Sequence, residues 1–329
     1  MKNVVTVGGG TGSYVVLQAL AKIKKISITA LVTTADDGGI AKKERDEFGI
    51  LPQSDIRKAI IALADKNKNR TLRELFTYRF SKGLGFEGAT LGNLILTALC
   101  ELKGSQYNAI KEIEKIFNIK GKVIPTTLDT TNILIKLSNN QEIFGETNLD
   151  TVFWNGKLKI KNISLIPTPK IFIEAEKALK NANYLIINPG DLYGSIMPNI
   201  IIKGFTQALK HVNCKIIYIC NLVTKYGQTY NYDVKEHIKD IEKYLDKKID
   251  IIGVNNQNFT TDQVITYLKE NSEPVKLNLN KLRRYKVYAT NLISDQEVKQ
   301  VKGDKLKRST VRHSVKTLTK VLKKVLEEN

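Results

Sequence analysis

The sequence predicts an α/β fold of the Rossmann-like, doubly wound type, with a mostly parallel sheet. Short and nearly continuous apolar runs alternate with amphipathic helical stretches, which is typical of a parallel sheet covered on both faces. The first apolar run, 4–7, leads into a glycine-rich segment and then a helical pattern. The strand–helix alternation resumes after residue 169 and continues towards the C-terminal helix.

The elements follow in order along the chain. Apolar β-type runs predict strands over 4–7, 28–34, 184–187, 215–220, 249–254 and 285–289. Apolar periodicity predicts helices after the glycine segment and over 55–64, 71–80, 91–102, 108–117, 171–180, 200–209 and 234–245. In the last helix a stripe with spacings of four and three indicates docking onto the body, with an interface helix as the alternative; the stripe is Val311, Val315, Leu318, Leu322 and Val325. A homodimer is a possible partner.

The pattern changes between residues 121 and 166. Strand-like runs over 132–137 and 142–146 flank the turn residues 138–140, and Asn155-Gly156 separates 152–154 from 158–166. An Asn-Gly pair between two strand-like runs favours a β-hairpin. About 45 residues form a marginal core alone. We therefore expect a β-meander inserted into a single domain that spans residues 1–329.

Composition excludes several classes of protein. The 329 residues are 42% hydrophobic and 26% charged, which is typical of a globular chain. The three cysteines have no ligand spacing, which argues against a disulfide scaffold and for a reducing compartment. No apolar run approaches the length of a membrane span, and the N-terminus does not resemble a signal peptide. We expect a cytoplasmic protein without a membrane partner.

The net charge of +19 raises nucleic-acid binding as a hypothesis. However, 43 of the 52 basic residues are lysines spread along the whole chain, and no RNP, KH or zinc-finger pattern is present. We therefore expect a solvated lysine surface and no nucleic-acid partner. The rare arginines are more informative because a guanidinium binds phosphate with two parallel hydrogen bonds; Arg57 and Arg312 lie in motif-like segments.

The glycine segment is the first candidate site. Glycine allows a sharp turn and a close approach of a ligand, and the next helix offers free N–H groups to phosphate. Ser13 stands where a third motif glycine would be, and no Walker A lysine follows. The segment predicts a phosphate cradle, with a tight structural turn as the alternative; its residues are Gly8, Gly9, Gly10, Thr11 and Gly12.

Acidic residues follow the second predicted strand. Asp36 and Asp37 could accept from ribose hydroxyls or hold Mg²⁺, with an exposed turn as the alternative. Asp55 and Arg57 could be presented by a crevice loop, although on physical grounds alone the segment favours a helix cap followed by a surface arginine.

Loops after later strands should meet the glycine segment at one rim, where the carboxyl ends of parallel strands face a ligand crevice. Asparagine there can read a base edge because its amide both donates and accepts. No HExxH or GxSxG motif is present, which argues against a zinc site or a hydrolase triad. The candidates are Asn93, Gly190, Leu192, Tyr193, Ser195, Asn221 and Thr224.

Together these segments resemble the gluconeogenesis factor family (YvcK-like), within the 2-phospho-L-lactate transferase (CofD-like) superfamily. The resemblance covers nearly the whole chain. It is carried, in order, by GGGTG at 8–12, TTADDGG at 33–39, RDEFGILP..DIR at 45–57, GN at 92–93, NPG.LY.SI.PN at 188–199, CNL.T..G at 220–227 and VRH at 311–313.

The resemblance implies a cytoplasmic nucleotide-sugar-binding regulator with UDP-GlcNAc as ligand. Such a protein would act in gluconeogenic growth, peptidoglycan and cell wall synthesis and cell shape, with regulatory protein partners. It also implies roles for the candidate residues: 8–12 and 190–195 would hold the diphosphate, and Asp36 or Asp37 the ribose or a metal. Asn93, Asn221 and Thr224 would contact base and sugar, and Arg312 phosphate or sugar.

The transferase branch implies an alternative, a Mg²⁺-dependent transferase of a nucleotide diphosphate ester, with Asp36, Asp37 and Asp55 as ligands. Departures from the family pattern favour binding over catalysis: Ile40-Ala41-Lys42 replaces Ser-Ser-Gly, Ala89 replaces a histidine, and Gln228 replaces an acid. An NAD-dependent oxidoreductase is a further alternative, suggested by the glycine turn and Asp36, but the sequence offers no evident acid or base for hydride transfer.

Overall fold

A computed structural model describes residues 1–35, 46, 48–65, 68–83, 85–295 and 310–328. The strands are β1 (Lys2–Val7), β2 (Ile26–Val32), β3 (Lys122–Pro125), β4 (Asn132–Leu137), β5 (Glu142–Phe144), β6 (Ile160–Ile166), β7 (Tyr184–Ile187), β8 (Lys215–Ile219), β9 (Ile251–Asn255) and β10 (Lys286–Thr290). The α-helices are α1 (Gly10–Leu20), α2 (Ser54–Leu63), α3 (Arg70–Thr77), α4 (Leu91–Lys103), α5 (Gln106–Phe117), α6 (Glu146–Asp150), α7 (Ile173–Lys180), α8 (Met197–Ile200), α9 (Phe205–Leu209), α10 (Val234–Leu245), α11 (Thr261–Leu268) and α12 (Val315–Glu328).

Seven strands form one parallel sheet in the order β10-β9-β8-β7-β1-β2-β3. The chain runs outward from β1 through β2 to β3 and then crosses to β7 on the other side of β1. The direction of strand order therefore reverses between β1 and β7. In open α/β sheets a ligand crevice lies outside the carboxyl ends of the strands at such a switch point. The predicted doubly wound α/β class is confirmed.

Two apolar cores cover the two faces of this sheet. Successive β1 residues alternate between them because side chains of a strand point to opposite faces. Val4 belongs to the core that includes residues of α1, α2, α5 and α12, and Val5 to the core that includes residues of β4, β6, α7 and α10. Local signals place the helices. In α10, for example, Asp233 and Glu236 each accept a hydrogen bond from the other's backbone N–H, which forms a capping box. Among the described residues no helix is long and apolar enough to cross a membrane.

The predicted β-meander needs correction. β5, β4 and β6 do form a small antiparallel sheet, but β6 pairs with β4 on the edge opposite β5, and β3 belongs to the large sheet. The hairpin predicted at Asn155-Gly156 is wrong, because residues 152–154 form no strand and the Gly156 carbonyl accepts from Gly227 N at 3.1 Å. That the chain forms a single domain stays a prediction.

Two predicted helices also differ. The helix over 200–209 is broken by Gly204 at φ +105°, where Lys203 pairs through its backbone with Pro169 and Ile171. Val311 precedes the last helix and donates its backbone N–H to the Tyr267 hydroxyl at 3.0 Å. The rest of the apolar stripe docks onto the body as predicted, since Leu318, Leu322 and Val325 are buried in the core around α1.

Candidate functional site

Three loops leave the carboxyl ends of β1, β7 and β8. We call 8–12 the first loop, 188–196 the second loop and 220–229 the third loop. The first two flank the switch point and touch each other: a Cβ built on Gly12 would lie 1.9 Å from the Pro189 carbonyl oxygen. Only glycine allows this approach of two backbones. Gly10, at φ +68°, has the opposite surroundings, because its Cβ would meet no atom of the described residues within 4 Å apart from its own neighbours along the chain.

A buried hydrogen bond holds the first and second loops together. Asn188 Nδ2 donates to Ser13 Oγ at 3.0 Å, and the Asn188 backbone N–H continues the pairing of β7 with Val7. Gly8 lies against this pair, since its Cβ would be 3.0 Å from Ser13 Oγ. Sequence reasoning noted Ser13 only as a missing motif glycine and gave Asn188 no role. The sequence signal that could have identified them is position, because Asn188 directly follows a predicted strand and Ser13 directly follows the glycine segment.

The second and third loops are joined by Asn221. Its Nδ2 donates to the Gly190 carbonyl at 2.7 Å, and its Oδ1 accepts from Gly190 N at 3.2 Å. The Cβ of Gly190, if present, would lie 3.4 Å from the Gly9 carbonyl oxygen. The predicted meeting of the three loops at one rim is therefore confirmed. Among the described residues the Asn221 amide makes only these two bonds, which leaves one N–H and one lone pair for a ligand, because an amide offers two of each.

The segment around Asp55 reaches the first loop. A Cβ on Gly9 would lie 2.0 Å from Asp55 Oδ2, while Asp55 Oδ1 pairs with Lys58 Nζ at 2.8 Å. Arg57 is buried, so the alternative of a surface arginine is wrong. Its Nε donates to Asn93 Oδ1 at 2.9 Å, which brings two of the predicted site residues together.

Other predicted residues support the loops through buried contacts. Leu192 is buried in the core, and the Tyr193 hydroxyl donates to Asp240 Oδ2 at 2.5 Å. Burial raises the pKa of Tyr193, so its hydroxyl stays neutral. Ser195 lies near both Gly9 and Gly190, with its Cβ 3.4 Å from the position a Gly9 Cβ would take.

Thr224 is buried, and its Oγ1 accepts from Glu273 N at 3.0 Å, which ties the third loop to the segment after α11. The roles predicted for Asp36 and Asp37 fall outside the described residues. No group of three acidic, histidine or cysteine side chains that could hold a metal occurs in the part of the chain that the structure describes.

The segment 311–313 lies beside the third loop. His313 Nε2 donates to the Cys220 carbonyl at 3.0 Å, and residue 313 also forms an antiparallel bridge with Ile293. Burial lowers the pKa of His313 to about 4, against an upward effect of the Cys220 carbonyl. His313 is thus a neutral structural anchor that fixes segment 311–313 to the carbonyl of the residue before Asn221. Sequence reasoning quoted His313 as part of the motif but gave it no role.

Comparison with known proteins gives a consistent match. A family model described as 2-phospho-L-lactate transferase CofD matches residues 4–293. The gluconeogenesis factor of Halalkalibacterium halodurans is 35% identical over 86% of each chain. The gluconeogenesis factor of Bacillus subtilis is 32% identical over 98% of this chain and 97% of its own. A crystal structure of a Bacillus halodurans protein of the UPF0052 family superposes with TM-score 0.87 at 30% identity and covers 98% of both chains.

Proposed function

The chain belongs to the CofD family as a relative of the gluconeogenesis factors, and from this premise we propose that it binds a nucleotide-sugar of the UDP-GlcNAc type. In this proposal it is a cytoplasmic regulator of gluconeogenic growth, cell wall synthesis and cell shape that acts through protein partners. It needs no Mg²⁺ for binding.

The meeting of the three loops at the switch point carries the proposal. The N-terminus of α1 directs backbone N–H groups and the positive end of its dipole to the same place, which suits a diphosphate. No described residue fills the space in front of Gly10, and Gly9 and Gly190 add no side chains. In this arrangement 8–12 and 190–195 hold the diphosphate.

The remaining contacts are assigned by position. Asn93, Asn221 and Thr224 complete the base and sugar contacts, and Arg312 reaches the phosphate or the sugar from the C-terminal segment. Asn221 and Arg312 are the best placed of these, since one is bonded to Gly190 and the other precedes the anchored His313.

One observation favours a second candidate function, a Mg²⁺-dependent transferase of a nucleotide diphosphate ester. The family model that matches 4–293 is described as a 2-phospho-L-lactate transferase. In this alternative Asp55, beside Gly9, acts with Asp36 and Asp37 to hold the metal. Lys58 already pairs with Asp55, so a metal would have to displace its ammonium.

Thermal unfolding against a ligand panel separates the two functions. The panel is UDP-GlcNAc, UDP-glucose, GDP, NAD and buffer, each with and without Mg²⁺. A ligand at about 100 times its dissociation constant adds about 2.7 kcal/mol of stability, a rise in Tm of about 4 °C for a chain of this length. A rise with UDP-GlcNAc that is indifferent to Mg²⁺ supports the regulator. A rise only with GDP, or only with Mg²⁺, supports the transferase, and no rise with any nucleotide refutes both.

A further inference from the structure

Lys225 connects three parts of the chain: the third loop, to which it belongs, the second loop and the end of α6. Its ammonium Nζ is 2.5 Å from Asp191 Oδ2 and 2.7 Å from Asp150 Oδ1. Asp191 directly follows Gly190, Asp150 ends α6, and Lys225 itself belongs to the third loop. The ammonium of Lys225 therefore lies between the carboxylate of Asp191 in the second loop and the carboxylate of Asp150 at the end of α6.

The backbone of Lys225 is fixed. Its N–H donates to Thr229 Oγ1 at 2.9 Å, and its carbonyl accepts from Thr229 N at 2.8 Å. Because Thr229 is buried, this turn holds the start of the lysine side chain in place. The long side chain thus reaches Asp191 from an ordered base.

A neutral side chain makes the same connection in parallel. Gln228 Oε1 accepts from Tyr193 N at 3.1 Å, and Gln228 Nε2 donates to Asp150 Oδ1 at 3.3 Å. The loops are therefore held together without the ammonium. What Lys225 adds beyond Gln228 is charge.

The positive charge of Lys225 affects the electrostatics of the second loop. Burial alone would lower the pKa of Lys225, but Asp191 and Asp150 outweigh it and raise the pKa above its usual value, so the ammonium stays charged at neutral pH. Without Lys225, the net charge of the cluster would change from −1 to −2, and the Asp191 carboxylate would lose its cation beside Gly190, where a diphosphate is proposed to bind. Like charges repel strongly in a partly desolvated site.

We propose that Lys225 is a positioning residue that neutralises Asp191 and thereby sets the preference of the second loop for a diphosphate. Lys225 acts through Asp191 and need not touch the ligand. The inference rests on the proposed nucleotide-sugar binding. It assigns to Lys225 the effect of ligand charge on the affinity of this site.

The test compares dissociation constants for UDP-GlcNAc, UDP and UMP by calorimetry. We expect Lys225→Gln to weaken UDP-GlcNAc and UDP on the order of tenfold, with a smaller loss for UMP, which carries less charge. Lys225→Arg should retain binding because it keeps the cation. Lys281→Gln is the matched control, since Lys281 forms a 2.7 Å pair with Asp233 outside the three loops.

The decisive variant adds Asp191→Asn to Lys225→Gln. If Lys225 acts by neutralising Asp191, removing that carboxylate restores most of the UDP affinity. If Lys225 served only loop geometry, the double variant would bind no better than Lys225→Gln, and this result overturns the proposal. Wild-type-like binding by Lys225→Gln also overturns it and leaves the proposed function standing, whereas a wild-type protein that binds no nucleotide refutes the proposed function itself.

Discussion

Gly10→Ala separates ligand binding from folding at the first loop. Gly10 has φ +68°, and a Cβ there would meet none of the described residues within 4 Å beyond its neighbours along the chain. Within the described part of the protein the substitution therefore introduces no clash, and it leaves the cost of a left-handed backbone. In the proposed complex, however, the methyl group stands in the space through which the diphosphate approaches the N–H groups of α1.

The magnitudes follow from these two effects. An L-residue in a left-handed conformation costs about 1–2 kcal/mol. At an unfolding entropy of about 2.1 cal/mol/K per residue, this lowers the Tm of a chain of this length by about 2 °C. Loss of a ligand held at about 100 times its dissociation constant removes a further stabilisation of about 2.7 kcal/mol, or about 4 °C.

Gly104→Ala provides the matched control. Gly104 follows α4 at φ +69°, and its Cβ position likewise lies more than 4 Å from every described residue other than its chain neighbours. Thermal unfolding with and without UDP-GlcNAc should show both variants about equally destabilised, with the ligand shift retained in Gly104→Ala and lost in Gly10→Ala. A full ligand shift in Gly10→Ala would refute the assignment of the first loop as a phosphate cradle.

Three other perturbations follow from the contacts of the loops. Gly12→Ala should destabilise the fold severely in urea unfolding, because the Cβ would lie 1.9 Å from the Pro189 carbonyl oxygen; wild-type stability would contradict the packing of the first two loops. Asn221→Ala removes both hydrogen bonds to Gly190 and should cost about 1–3 kcal/mol in the same assay, together with nucleotide affinity. His313 should make stability fall as pH drops from 6.5 to about 4, by roughly 3 kcal/mol, because the unfolded chain takes up a proton that the buried ring refuses. His313→Gln should flatten that part of the pH profile, and an unchanged profile would exclude His313 as its source.

Local patterns predicted much of the fold. The strand over 184–187 and the helix over 234–245 were placed at their observed bounds, because an unbroken apolar run and a capped amphipathic period are properties of neighbouring residues. The hairpin at Asn155-Gly156 failed for the converse reason. The Gly156 carbonyl accepts a hydrogen bond from Gly227 N, more than 70 residues away along the chain. A local sequence pattern cannot predict a contact at that separation.

The candidate site divides in the same way. The sequence alone contains the glycine segments, the asparagines and the order of the motifs. These features sufficed to predict that the three loops meet and to which family the chain belongs. Which side chains join the loops was decided only by tertiary structure: Asn188 with Ser13, Asn221 with Gly190, and Lys225 with Asp191. The β1–β7 switch point, created by the crossing of the chain from β3 to β7, brings together loops that are about 180 residues apart. Periodicity describes neighbours along the chain, whereas these contacts depend on which strands become neighbours in space.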